Sequence, residues 1–274
     1  DGGGLIVEPE DLLEVRSDPV ASKYLRTLVG GRGMLHNENR HCLWLTDASP
    51  SEIRSSPLLL ARLKLVADTR LASPTPAARE KAKTPALFLA IRQPKNRWLA
   101  VPCTSSAGRR IIPMAFYSAD DIPNNSVMSI DGADEYLFGV LQSAMFTTWV
   151  QTVSGRLKSD IRISADIAYN AFPFPSTPNA AARSRVEEAI EDVLAARTAH
   201  SSTTLAELYD SLVTPPDLIK AHDKLDVAVN ALYTSGKVAG EGDRLKLLFA
   251  RYAELTADLL TEVPAKKTRK KKSD

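Results

Sequence analysis

The sequence predicts an α+β chain: a mixed or antiparallel sheet domain with packed helices, followed by a small all-helical bundle. Three observations lead there. Apolar residues recur at helical spacing up to about residue 72, then switch to a period of two between Pro85 and Tyr117. A long apolar helical run follows at 133–155, next to a cluster of charges. Beyond the proline-rich stretch FPFPSTPN at 172–179, every apolar run is helical again.

Taken in order, residues 9–30 (PEDLLEVRSDPVASKYLRTLVG) read as a helix interrupted at Pro19 and stopped at Gly30-Gly31. RHCLWLTDA reads as a short buried strand in which Cys42, Trp44 and Thr46 alternate with Leu43 and Leu45. The next segment, from Ser49, has a capping residue followed by Pro50 at a first-turn position. Leu59, Leu60, Leu63 and Val66 then fall at helical spacing, with Arg62, Lys64 and Arg70 elsewhere around the wheel.

LFLAIRQ, RWLAVP and RIIPMAFY read as three strands joined by PKN and CTSSAGR. ADEYLFGVLQSAMFTTWVQTVSG reads as one helix with Gly155 as its stop. A domain boundary falls within FPFPSTPN, giving 1–176 and 177–263. The second part carries four helices: one to about His200, TLAELYDSL, one ending at Gly236, and EGDRLKLLFARYAELTADLL. Residues 264–274, with AKKTRKKKSD, have nothing to bury and read as a disordered basic tail.

A formal net charge of +2 names no partner, but its distribution does. Between Glu52 and Arg110 twelve Lys or Arg stand against three acids, whereas residues 178–263 hold nine bases and fourteen acids. Such cancellation between regions points to a polyanionic partner. Two distant cysteines make neither a disulfide framework nor a metal knuckle, and no apolar run approaches membrane-spanning length. A reducing, cytoplasmic setting with no membrane partner follows. The chain opens on Asp1-Gly2-Gly3-Gly4 without Met, as a piece of something longer would.

Catalytic and metal constellations are weak. His36, His41 and Cys42 are close in sequence, but His41 and Cys42 would point to opposite faces of a strand, so packing explains them. His222 reads as a half-exposed residue of an amphipathic helix. There is no G-x-S-x-G, no phosphate-binding G-x-x-x-x-G-K-[ST], and no Asn-Pro-Pro-aromatic tetrapeptide. Gly2-Gly3-Gly4 precedes a strand-like LIV, the wrong order for cradling a phosphate.

Binding features are stronger. The loop 103–110 carries Ser105, Ser106 and Arg109, residue types that meet base edges and phosphates. A plain solvated hairpin loop is the competing reading. Arg92, Lys95 and Arg97 flank the neighbouring turn, which a plain meander would put at the other end of the sheet, and Arg110 closes the loop. Arg156 and Lys158 follow the long apolar helix, which would hold them in register as backbone contacts require. The basic helix of 52–72 would add diffuse, salt-dependent attraction.

Several blocks in this order resemble one family, the MmeI-like single-chain type II restriction–modification enzymes and related adenine-specific DNA methyltransferases. They include YLRTLVGGRGMLHNENRHCLWLTDASPSEIR, IRQPKNRWLAVPCTSSAGRRIIPMAF, GRLKSDIRISADIAYNAFPFP and LAELYDSLVTPPDLIKAHDKLDVAVNALY. The resemblance implies that 1–176 is a target recognition domain for double-stranded DNA and that 177–263 is a helical domain closing a clamp. It implies an upstream methyltransferase domain in the same polypeptide, transferring a methyl group from S-adenosylmethionine to adenine N6 in restriction–modification or phage defence. This chain would be the non-catalytic part, with no cofactor of its own. The family's base-selecting loop falls on 103–110. Some relatives carry an acid at the position of Ala107, two before Arg109, and Ala107 cannot accept from cytosine N4. The rival expectation is a scaffold that docks on the methyltransferase domain without reading DNA.

Overall fold

The computed structural model describes residues 2–38 and 40–261. The first sheet is built from β1 (Ile6–Val7), β2 (Leu25–Val29) and β3 (Arg40–Leu43), with short helices α1 (Leu12–Ser17) and α2 (Gly31–His36) between them. β3 lies antiparallel between β1 and β2, with registers Ile6↔Cys42 and Arg26↔Cys42. The helix expected over 9–30 therefore ends early. Asp18 is extended, as a residue before proline must be, and residues 25–29 form a strand. Its consecutive apolar pair misled the period: Leu28 packs with Cys42, Trp44 and Ile122, while Val29 packs on the opposite face with Met34, Trp98 and Ala100. A strand buried on both faces carries no alternation.

Ser49 caps α3 (Pro50–Ser55) through a reciprocal pairing with Glu52, and Ser56 starts α4 (Pro57–Leu71) afresh. Hydrogen bonds from Ser49 hold the Glu52 carboxyl at about 2. The expected diffuse basic face is depleted, because two of its arginines are structural. Arg62 donates to the carbonyls of Gly3, Gly4 and Ile6 and pairs with Asp11. Arg70, only 3% exposed, donates to the carbonyls of Lys81, Thr84 and Leu87. The cation is buried here to satisfy a loop's carbonyls.

After α5 (Pro76–Glu80) come β4 (Trp98–Pro102), β5 (Thr104–Ser105), β6 (Ala115–Tyr117), β7 (Ile122–Pro123) and β8 (Val127–Asp131). β4 is the centre of an antiparallel sheet ordered β6-β4-β8, and β7 runs parallel to β2 at the edge of the first sheet. Residues 87–93 are not the strand their alternation predicts. The edge of β4 they would have taken is occupied by β8, paired from Trp98↔Asp131 to Pro102↔Val127. Phe88 instead stacks on Trp44 at 5.6 Å.

The long apolar run is two helices, α6 (Glu135–Leu141) and α7 (Ala144–Val153). Ser143 caps the second, and the Gln142 side chain donates to the Ile112 carbonyl at 2.6 Å. β9 (Arg156–Leu157) and β10 (Asp160–Arg162) form a hairpin, and β10 also pairs with β5. Four helices complete the chain: α8 (Ala180–Ala199), α9 (Leu205–Leu208), α10 (Pro216–Asn230) and α11 (Glu241–Thr261). The predicted tail of 264–274 lies outside the described residues.

The change to all-helical chain at 176–180 is not a break in packing. One apolar core joins Leu99, Ile112, Phe138, Phe146 and Trp149 to Val186, Ile190, Leu225 and Val229. At Gly139, α6 approaches α8 so closely that a Cβ would lie 2.6 Å from Val186. The loop between β4 and β6 is thus mounted on a body to which both halves contribute.

Candidate nucleic-acid interface

The loop 103–110 leaves β4 and at once becomes β5, whose Thr104 and Ser105 pair with Arg162 and Ile161 of β10. Loop and hairpin are therefore one small sheet. Strand alternation turns Ser105 inward: it is 2% exposed and its hydroxyl has no hydrogen-bond partner among the described residues. This corrects its assignment as a base-reading position. Ser106, Ala107 and Gly108 are exposed, in a turn closed by Arg109 N–H donating to the Ser106 carbonyl at 3.3 Å. Arg109 is half-buried and makes no ion pair among the described residues. Burial lowers its pKa, against the opposing fields of Asp210 and Asp160.

Two other arginines are consumed internally. Arg110 pairs with Asp223 at 2.6 Å and Asp226 at 3.0 Å, both on α10. Arg97 pairs with Glu135 at 2.7 Å and lies 3.6 Å over the Phe116 ring. Both guanidiniums are thus engaged within the chain and are not among its unpaired cations. Lys95 is exposed, but with Arg97 it sits before the start of β4. A five-residue strand places that end roughly 16 Å from the loop. Arg92, by contrast, lines a groove with Cys103, Asn124, Asn125, Ser129 and Arg162, of about 460 Å³. The expectation that Arg92, Lys95 and Arg97 share one end is therefore divided: only Arg92 reaches the loop's side.

In the hairpin, the register Leu157↔Asp160 leaves Lys158-Ser159 as a two-residue turn, with Lys158 at φ +57°. Glycine suits that conformation better, so a lysine held there in the left-handed region is a pointer to function. Arg156, Lys158 and Arg162 are all exposed, and Arg156 donates to the Gln151 carbonyl at 3.4 Å, which fixes the hairpin against the end of α7. Arg162 belongs to the same charge cluster in the sequence but is not among the backbone contacts predicted from it, although alternation with inward Ile161 and Ile163 would have exposed it. Asn124 and Asn125 carried no signal. They reach the groove because Asn124 N–H donates to the Val29 carbonyl, continuing the parallel pairing of β7 with β2 at the edge of the first sheet.

The far end of the loop is gripped from the helical half. Arg197 of α8 donates to the Met114 carbonyl at 2.9 Å, to the Tyr209 hydroxyl and to the Gln142 side chain. Tyr209 also bonds His222 Nε2 at 2.8 Å. His222 is 3% exposed, which corrects the half-exposed reading, and burial near two arginines depresses its pKa to about 3. It is neutral when folded and would charge near 6.5 when unfolded, so stability is present above pH 6.5 and is lost as pH falls toward 3. Thermal unfolding at pH 5 against pH 7 should show about 2 kcal/mol lost through this residue. His222→Gln should remove that part of the dependence. Among the described residues no group of three or more His, Cys, Asp or Glu is placed to hold a metal ion. No described helix is long and apolar enough to cross a membrane.

Five cations from three separate segments, Arg92, Arg109, Arg156, Lys158 and Arg162, thus stand without ion-pair partners among the described residues around one exposed loop. An exposed loop and hairpin on a sheet, backed by helices and richer in cations than in the acids Asp160 and Asp210 beside them, form one surface module. The chain belongs to the MmeI family: residues 1–176 match the MmeI target recognition domain and residues 178–260 the MmeI C-terminal domain. DNA methyltransferase A of Bacillus subtilis (strain 168) is 35% identical over 257 residues, covering 93% of this chain and 29% of the relative. A solved structure of the Type IIL restriction-modification enzyme MmeI in complex with DNA has a TM-score of 0.90 at 39% identity, over 94% of this chain and 34% of that one. This chain spans about a third of the length of the relatives it matches.

Proposed function

We propose that this chain reads the sequence of double-stranded DNA for a larger enzyme of which it is the non-catalytic part. The observation that carries the proposal is the unpaired cation set around the loop 103–110. Arg109, with Ser106 and Ala107 beside it, meets base edges, whereas Arg92, Arg156, Lys158 and Arg162 meet phosphates. The larger enzyme would be an adenine-N6 methyltransferase of the restriction–modification or phage-defence kind, acting in the cytoplasm with its methyltransferase domain upstream. Support comes from the family and from what the two relatives are named for.

S-adenosylmethionine would be the methyl donor of that enzyme. Nothing in the Gly2-Gly3-Gly4 run fits it: the run precedes a strand, and Gly4 is required by packing, since its Cβ would lie 2.5 Å from the Arg62 carbonyl. The donor would be held upstream, and no step of its chemistry involves this chain.

Binding of the full-length enzyme to labelled duplexes, with and without its preferred site, tests the proposal. Lys158→Gly relieves the strained turn, so its unfolding midpoint should be unchanged or higher, while affinity for every duplex falls by a similar factor. A scaffold that never touches DNA would show no affinity change.

A further inference from the structure

We propose that the turn Asp210–Thr214 of the helical half is a second base-reading element, with Asp210 and Arg109 addressing the two bases of one pair across the cleft they line. The inference rests on the duplex-reading function proposed above. Ser106, Gly108 and Arg109 form one wall of that cleft, and Asp210, Ser211 and Leu212 form the other, enclosing about 230 Å³. The walls are a hundred residues apart in sequence, and both open to solvent.

Three features separate this turn from an ordinary connection. First, it is rigid: the Asp210 carboxylate accepts from Leu212 N–H at 2.9 Å, and the Asp210 carbonyl accepts from the N–H groups of Val213 and Thr214. Tyr209, buried and bonded to Arg197 and His222, anchors the segment that enters it. Second, that rigid turn holds Leu212 out at 90% exposure in the cleft with Arg109, where an apolar group suits a thymine methyl. Third, Asp210 and Arg109 feel each other's charge without pairing within 4 Å, so each keeps hydrogen-bonding capacity for a ligand.

The chemistry of a G·C pair suits a guanidinium and a carboxylate on facing walls. Guanine offers O6 and N7 to a guanidinium, and cytosine offers its N4 amino group to a carboxylate. Ala107, within the loop, supplies no acceptor, whereas Asp210 supplies one from the opposite wall.

The test is selection of preferred duplexes from a randomised library by the full-length enzyme, read by sequencing. Asp210→Asn keeps an oxygen for the Leu212 N–H. Asp210→Ser keeps a capping oxygen in a smaller side chain, guarding against a folding defect. The expected result is a loss of roughly tenfold in discrimination at one base pair, the same pair that Arg109→Ala relaxes. Unchanged preference at every position in both folded variants, including uniformly tighter binding through loss of a negative charge, overturns the inference. Should the parent enzyme enrich no site at all, the duplex-reading function itself fails, and this inference with it.

Discussion

Arg109→Ala in the full-length enzyme is expected to relax the choice of base at one position of the preferred site by about 10–100-fold, leaving other positions intact. One correct bidentate contact to guanine discriminates by about 1–3 kcal/mol, and Arg109 is the one loop cation free to make it. Its neighbour Arg110 is held by Asp223 and Asp226. The backbone of Arg109 is tethered by Gln151 of α7, which donates to its carbonyl at 3.5 Å, and partial burial restricts the side chain. Preorganisation concentrates the effect in specificity. Folding should be little affected, because no ion pair is lost. Selection and sequencing of bound duplexes, with parent and variant compared position by position, checks this.

Asp226→Ala is expected to lower stability by about 2–4 kcal/mol and to loosen the reading loop as well. One carboxylate oxygen accepts from Ala144 N–H at 2.7 Å, capping the break between α6 and α7, and the other holds Arg110 at 3.0 Å. Removing it strands a buried N–H and leaves Arg110 with the exposed Asp223 alone. Burial raises the Asp226 pKa in spite of its arginine neighbours, so the carboxylate is expensive to hide and its partners are essential. Denaturant unfolding measures the first effect. Hydrogen exchange in residues 106–111 measures the second, with faster exchange expected there than in β4.

Much of this was legible in the chain, and what was not has common causes. The helical second half followed from helical apolar runs beyond the proline-rich stretch. The structure shows the local signals behind them: Val186, Ile190 and Val193 buried on one helix face, and Asn179 and Thr204 as caps. The sheet part was harder, because Leu28 and Val29 are buried on opposite faces and β8 displaced the expected strand at 87–93. The loop 103–110 and the basic hairpin were found as charged or polar stretches between apolar elements. Which of their cations are free was not visible: Glu135 and Asp223 lie 38 and 113 residues from the arginines they neutralise. The burial of Ser105 required knowing that it pairs with Ile161, and Asp210 entered the site only through the tertiary fold. Alternation within β10 was the one missed signal, and it would have added Arg162.

The slope of binding affinity against salt concentration tests the central claim most directly, since it counts the phosphates neutralised. The full-length enzyme should lose affinity steeply as salt rises. A variant carrying Arg92→Gln, Arg156→Gln, Lys158→Gln and Arg162→Gln should show a log–log slope shallower by about 3–4, roughly 0.9 per lost phosphate contact, with an unchanged unfolding midpoint. An unaltered slope in that folded variant would mean that these groups face away from the duplex, and would contradict the account.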